Sequence, residues 1–248
     1  MIKVKQGSDG SHLITASVSD FCASMGYCEI SIVHSLKGIK PAETQATIEG
    51  TQSHEKEEIY EKEHFTFKPV TAEELEDFTK DIEFVREGLF TRFQRQMSIG
   101  EETATLLLFG RADKVMRSRG TLIVEDSKFP ANKAKYQETF QPYSSQKLQT
   151  LLYLNSRFSE KFPFSGKDCF DIGCERKAWV INIKDKATHE PIKIFQGLQT
   201  VEAEEFLNGS INRFVMLVLG KLAPEHHNNV KKCNSCSFTD CAFKLQDT

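Results

Sequence analysis

No stretch of the chain approaches the ~20 consecutive apolar residues that a membrane-spanning helix needs, and Met1 to His12 is polar where an export signal would carry an apolar segment. The expectation is a cytoplasmic protein with no membrane partner. A surplus of basic charge is missing as well: at a formal net charge of -3, any nucleic-acid surface has to be a local patch rather than a global field. Internal repeats and low-complexity linkers are absent, so one domain over residues 1–248 is the simplest organisation. With 39% hydrophobic residues, that domain has material for a sizeable core. Seven cysteines are an odd number, and without an export signal they argue against a disulfide framework and for thiolates that hold a metal.

The most informative segment runs from Gly110 to Lys128. It reads as a strand, a turn around Gly120 and a second strand, which brings Asp113 near the triplet Asp126-Ser127-Lys128 by hairpin pairing. The two-residue period puts Asp126 and Lys128 on one face and Ser127 on the other. Leu122, Ile123 and Val124 form an apolar run of the kind found in a central strand buried on both faces, with its polar end emerging at a cleft. Two acids and an ammonium in one small volume suit metal-assisted cleavage of a phosphodiester. The carboxylates hold a hard divalent cation, and the lysine orients water or stabilises negative charge in the transition state. A solvated strand end is the competing account, because acid-x-Lys triplets are common.

Cys233-x2-Cys236-x4-Cys241 places three thiols within nine residues, enough for one face of a metal centre that needs a fourth ligand. Cys28 is the expected fourth, since a ligand so distant in sequence would staple the two ends of the chain; Cys22 is the reserve, with His226 and His227 also within reach of the cluster. Thiolate spacing alone leaves zinc and iron-sulfur both open. Cys169 and Cys174, flanking Gly173, read as ordinary loop or core cysteines.

Elsewhere, Val18 to Leu36 has helical periodicity ending at Lys37-Gly38, and a second helix opens at Ile48 and runs into the acidic stretch Glu55 to Glu63, with a lone His54 that on such a helix is more often solvated than a ligand. Thr71-x-x-Glu74 is a capping box, and apolar residues at 75, 78, 82, 85, 89 and 93 predict one long amphipathic helix behind it. Pro130 to Pro142 reads as a loop with a phosphate-contacting patch at Lys133, Lys135 and Tyr136. Gln146 to Phe158 reads as a helix on which Gln149 and Tyr153, four residues apart, share a face. Strands are expected at Ala178 to Ile183 and Ile192 to Phe195, and Thr200 caps a last helix through Leu219.

In order, these motifs resemble the restriction-endonuclease-like PD-(D/E)XK superfamily, specifically RecB-like iron-sulfur nucleases, closest to the family associated with CRISPR adaptation. The resemblance rests on Gly50-x3-His54, Gly110-x2-Asp113, Asp126-x-Lys128 and Gln149-x3-Tyr153, bracketed by Cys28 and the three C-terminal cysteines, over residues 17 to 243. It implies an α/β fold with a mixed central sheet flanked by helices. Residues 17–40 and 224–248 would together form an iron-sulfur cluster subdomain. His54, Asp113 and Asp126, with the Ser127 carbonyl, would bind Mn or Mg; Lys128 would be catalytic beside Asp113 and Asp126; Gln149 and Tyr153 would position DNA. Cys28, Cys233, Cys236 and Cys241 would hold a 4Fe-4S cluster. The implied activity is exonuclease digestion of single-stranded DNA or DNA ends, with endonuclease cleavage a further implication and CRISPR adaptation proteins as partners. A repair or replication nuclease of the same fold, and a non-catalytic DNA-binding adaptor, are the alternatives. The chain departs from the family in having Glu29 after Cys28, where proline is usual, and Asp126 rather than glutamate in the triplet.

Overall fold

A computed structural model describes residues 1–64, 70–163 and 168–245. The chain opens with β1 (Lys3–Gln6) and β2 (His12–Ser17), followed by α1 (Val18–Gly26), α2 (Ile30–Leu36), α3 (Gln45–His64) and α4 (Ala72–Glu76). Five strands come next: β3 (Phe84–Glu87), β4 (Phe90–Ile99), β5 (Glu102–Arg111), β6 (Lys114–Ser118) and β7 (Thr121–Lys128). The remainder comprises α5 (Ala134–Gln137), α6 (Ser144–Leu154), β8 (Arg157–Ser159), β9 (Arg176–Lys184), β10 (Pro191–Leu198), α7 (Val201–Val218) and α8 (Val230–Asn234).

The α/β class matches expectation, but the single central sheet is replaced by two five-stranded mixed sheets, ordered β1-β2-β5-β4-β8 and β10-β9-β7-β6-β3. One bent ribbon serves both. Its arms run β3 to β4 and β5 to β6, and they stay bonded across the bend, where Ala112 N–H donates to Leu89 O at 2.8 Å and Gly88 N–H donates to Asp113 O at 2.9 Å. Asp113 therefore lies at the corner where the chain leaves one sheet for the other. The β6–β7 turn is tight, with Arg119 and Gly120 both at positive φ, and pairs Lys114 with Glu125. Helices α1, α6 and α7 close over the apolar faces, burying Phe21, Leu106, Leu108, Val124, Leu148, Leu151 and Phe214 in one core.

Several expected elements change. The helix over Val18 to Leu36 is two helices, because Gly26 brings α1 against α6 so closely that a Cβ there would lie 2.4 Å from Ser145 Cα; the chain turns at this contact and puts Cys28 in the bend. The long helix after Thr71 is absent. Its capping box forms as read, yet the helix stops at Glu76, and the apolar residues beyond enter β3 and β4, where Phe84, Leu89 and Phe93 are core. Arg117, fully buried, ends the helix by donating to the carbonyls of Leu75, Asp77 and Lys80 at 3.2, 3.2 and 2.7 Å. Such carbonyls would otherwise continue the helical ladder. One turn of helix interrupts the expected loop from Pro130, and the end of the expected Gln146 to Phe158 helix becomes β8. The expected strands near 178 and 192 and the Thr200-capped helix lie within β9, β10 and α7. Among the described residues, no helix is long and apolar enough to cross a membrane.

Candidate active site

β6 and β7 set the geometry. With Lys114 opposite Glu125, the next pair inward is Asp113 and Asp126, and the Asp113 carboxylate accepts the Ser127 N–H at 2.9 Å. That bond clamps the carboxylate to the middle of the triplet. Lys128 Nζ donates to Asp126 Oδ1 at 3.0 Å and to Gln149 Oε1 at 3.1 Å, and Gln149 Nε2 donates to the Tyr153 hydroxyl at 3.1 Å. The strand period and the helical i, i+4 spacing thus meet in one chain of contacts, Asp126 to Lys128 to Gln149 to Tyr153. Gly110 makes room for it: a Cβ there would stand 2.8 Å from the Tyr153 ring. Around Gly50 there is open space, so nothing in the fold requires glycine in the first motif.

His54 reaches the site from α3, with Nδ1 3.5 Å from Asp113 Oδ2 and its ring edge-on to Phe129 at 5.1 Å. Among the described residues, His54, Asp113 and Asp126 do not bring three donor atoms within 4.8 Å of one another. His54 and Asp113 are paired, while Asp126 leans toward Lys128. Asp126 is completely buried, and its Oδ2, although 2.8 Å from Lys128 Nζ, is outside hydrogen-bond alignment and accepts nothing. Burial pushes the Asp126 carboxyl up to about 6, against the pull of Lys128. Asp113 is raised for the same reason. Burial and the Lys128 charge lower His54 to about 4, leaving it a neutral imidazole. Lys128 loses solvation too, but Asp126 and Asp113 outweigh that and keep its amine protonated.

A ring of charge surrounds this set, and sequence reading gave its acidic half on α3 no role. The inward face of α3 is Ser53, Glu57 and Glu61, all buried. Glu57 pairs with Lys184 of β9; Glu61 accepts from Lys114 at 2.6 Å; both Glu58 oxygens accept from Arg111 Nη2 at 2.8 Å; Glu49 pairs with Lys186 at 2.8 Å. Glu87 of β3 shares a hydrogen bond with Glu61, and burial drives it up to about 9. The signal available in sequence was the spacing 53, 57 and 61, which marks one helical face. Lys133 is tied to Asp185, Gln146 Nε2 donates to the Tyr136 hydroxyl at 3.0 Å, and Lys135 Nζ lies over the Tyr143 ring at 4.9 Å, so all three loop residues read as phosphate contacts have partners within the chain.

The thiols gather at the other end of α1. Cys28, Cys236 and Cys241 line one cleft with Tyr27 and Phe238, and the Cys233 sulfur lies 3.4 Å from His226 Nε2. Cys22 is elsewhere: it is buried on the side of α1 that faces Asp126 and Lys128, whose charges act on it, and burial raises its thiol far above the ordinary range. Glu29, the departure from the family pattern, holds Cys28 beside the C-terminal segment by pairing with Arg213 and accepting the Glu225 N–H at 2.8 Å. Residues 246–248 of the expected cluster region lie outside the described residues.

No protein-family model and no curated protein matches the chain. Among solved structures it is similar to SSO0001, at 15% identity over 98% of this chain and 91% of that one, with a TM-score of 0.47. It is similar to a protein of Eubacterium rectale provisionally described as an exonuclease, at 16% identity over 94% and 90%, TM-score 0.44. It is also similar to LHK-Exo in complex with dAMP, at 14% identity over 84% and 88%, TM-score 0.41. Similarity at this level leaves the function to be read from the site.

Proposed function

We propose that this chain is a divalent-metal-dependent DNA nuclease of the RecB-like PD-(D/E)XK type, acting as an exonuclease on single strands or DNA ends. The observation that carries the reading is the clamp of Asp113 onto Ser127 N–H beside a buried Asp126–Lys128–Gln149 contact chain. His54, Asp113 and Asp126, with the Ser127 carbonyl, would hold Mn or Mg. Their fit is chemical: the donors are a neutral imidazole and hard oxygens, and the buried Asp126 oxygen lacks any donor. A cation also reverses the burial that raises both carboxyls, because it stabilises their charged forms. Bound there, it would supply Lewis-acid activation of the attacking water and neutralise charge on the phosphate.

The remaining work falls to side chains. Lys128 is a protonated amine poised to stabilise negative charge as it grows on the phosphate, and the Gln149 carbonyl oxygen fixes its direction. If Asp126 turned to a bound cation, one Lys128 hydrogen would be free for substrate. Tyr153 orients Gln149 and, with it, the strand being cut. Cys28, Cys233, Cys236 and Cys241 would hold a structural 4Fe-4S cluster joining the chain ends, and the cellular setting implied by the motif order is CRISPR spacer acquisition. Burial raises the Cys28 thiol, and the N–H groups of Ile30 and His227 directed at its sulfur oppose that rise; the Leu245 N–H lies 3.4 Å from the Cys233 sulfur.

The test is digestion of end-labelled single-stranded DNA with Mn, with Mg and with EDTA. Metal-dependent cleavage by wild type and its loss in Asp113→Asn are expected. Equal cleavage by wild type and Asp113→Asn would remove the claim, and DNA binding without cleavage under every divalent ion would favour the adaptor reading.

A further inference from the structure

Two histidines crowd the thiol cleft, and the way their rings are held fixes what they can do. His226 Nε2 lies 3.4 Å and His227 Nε2 4.0 Å from the Cys233 sulfur. On the far side of each ring, Nδ1 receives a backbone N–H: that of Asn228 onto His226 at 3.2 Å, and that of Asn229 onto His227 at 3.0 Å. A backbone N–H only donates, so each Nδ1 presents its lone pair, and a neutral ring then carries its hydrogen on Nε2. His226 Nδ1 also faces Asn228 Oδ1 at 3.3 Å, a contact satisfied when that amide turns its nitrogen toward the ring.

Donor atoms of Cys28, His226 and His227 lie within 4.8 Å of one another, a spacing that on its own suits a single zinc ion. The ring tautomer points the other way. A neutral imidazole that binds metal through Nε2 carries its hydrogen on Nδ1 and donates it outward, whereas here the backbone donates into Nδ1. The segment is held in place by Glu29 at Glu225 N–H, by Tyr27 packed edge-on to His227, and by the Tyr27 hydroxyl donating to Lys232 O at 2.5 Å.

We infer that His226, assisted by His227, is a hydrogen-bond donor to the Cys233 thiolate and raises the reduction potential of the centre the four cysteines hold; this rests on the cluster reading above. With the Leu245 N–H, the Cys233 sulfur faces three N–H groups. N–H groups at a cluster sulfur stabilise the more negative, reduced state more than the oxidised one. His226 is a positioning residue and not a ligand.

The test uses full-length protein purified without oxygen, with iron, sulfide and zinc measured and the midpoint found by spectroelectrochemical titration at fixed pH. His226→Leu is expected to keep wild-type iron while the oxidised-to-reduced ratio at a set potential rises about tenfold, which is 59 mV for one electron. His226→Gln, whose amide nitrogen reaches the Nε2 position, is expected to restore the wild-type midpoint. Unchanged potentials in both variants, with iron retained, would overturn the inference alone. Zinc in wild type, lost in His226→Leu, would make the imidazole a ligand and overturn the cluster reading as well.

Discussion

Helices α6 and α3 both deliver residues to the candidate site, and they are attached by opposite physics. α6 brings Gln149 and Tyr153 and is seated by Leu148, Leu151 and Leu152, none of which reaches solvent. α3 brings His54 and buries Ser53, Glu57 and Glu61, seated by ion pairs to Lys184, Lys114, Arg111 and Lys186. Apolar contact is non-directional and is not screened by ionic strength. Ion pairs depend on both partners and on ionic strength. The site therefore has a rigid half, with the amide–phenol pair that holds the Lys128 amine, and a charge-dependent half that carries the imidazole.

The largest effect should come from the rigid half. Lys128→Ala is expected to lower the single-turnover cleavage rate by ~10²–10³, as loss of a transition-state donor does, with strand affinity by fluorescence anisotropy unchanged. An equal rate loss in His54→Ala alone, with Lys128→Ala active, would reverse the roles of the two halves. Stability variants come next. Leu151→Ala is expected to cost about 2–5 kcal/mol of global unfolding in urea, and Lys184→Ala, which strands buried Glu57, about 3–5 kcal/mol. Hydrogen exchange separates the two: Lys184→Ala should release α3 amides first while α6 stays protected. Uniform acceleration in both helices would mean that α3 is not a separately held unit.

A pH effect follows from Glu87, whose carboxyl is raised from 4.5 to about 9. Between those values the folded chain holds a proton that the unfolded chain has released, so stability falls as pH rises across that window. Glu87→Gln should flatten the profile, measured by urea midpoints from pH 5 to 9; an unchanged slope would place the proton elsewhere. The smallest effect is salt. Glu58–Arg111, on the rim of α3, is worth ~0.2–1 kcal/mol, and Glu49–Lys186 is a second rim pair, so raising ionic strength should speed exchange in α3 by a few-fold and leave α6 unchanged.

The same contrast decides what could be read in sequence. Strand period placed Asp126 and Lys128 together, the turn near Gly120 brought Asp113 to them, and helical spacing paired Gln149 with Tyr153; all of these are local rules that the fold keeps. Glu57 and Glu61 drew no role from the sequence because their cations, Lys184 and Lys114, lie 127 and 53 residues away. No local pattern carries that information. The 71 to 93 stretch failed for a related reason: its apolar spacing fits a helix, but buried Arg117, from β6, captures the carbonyls that would extend it. Two sheets were read as one because the markers of the bend are split between its arms: Gly110 and Asp113 lie on one, and Gly88, at positive φ, on the other.

The most direct test of the metal-dependent account is a Mn(II) titration of cation-free protein followed by electron paramagnetic resonance of the free ion. Wild type should sequester Mn, and Asp113→Asn and Asp126→Asn should each weaken that binding by about tenfold or more, ~1.4 kcal/mol per decade, while Lys128→Ala binds at least as tightly as wild type. Identical Mn binding in all four proteins would contradict it.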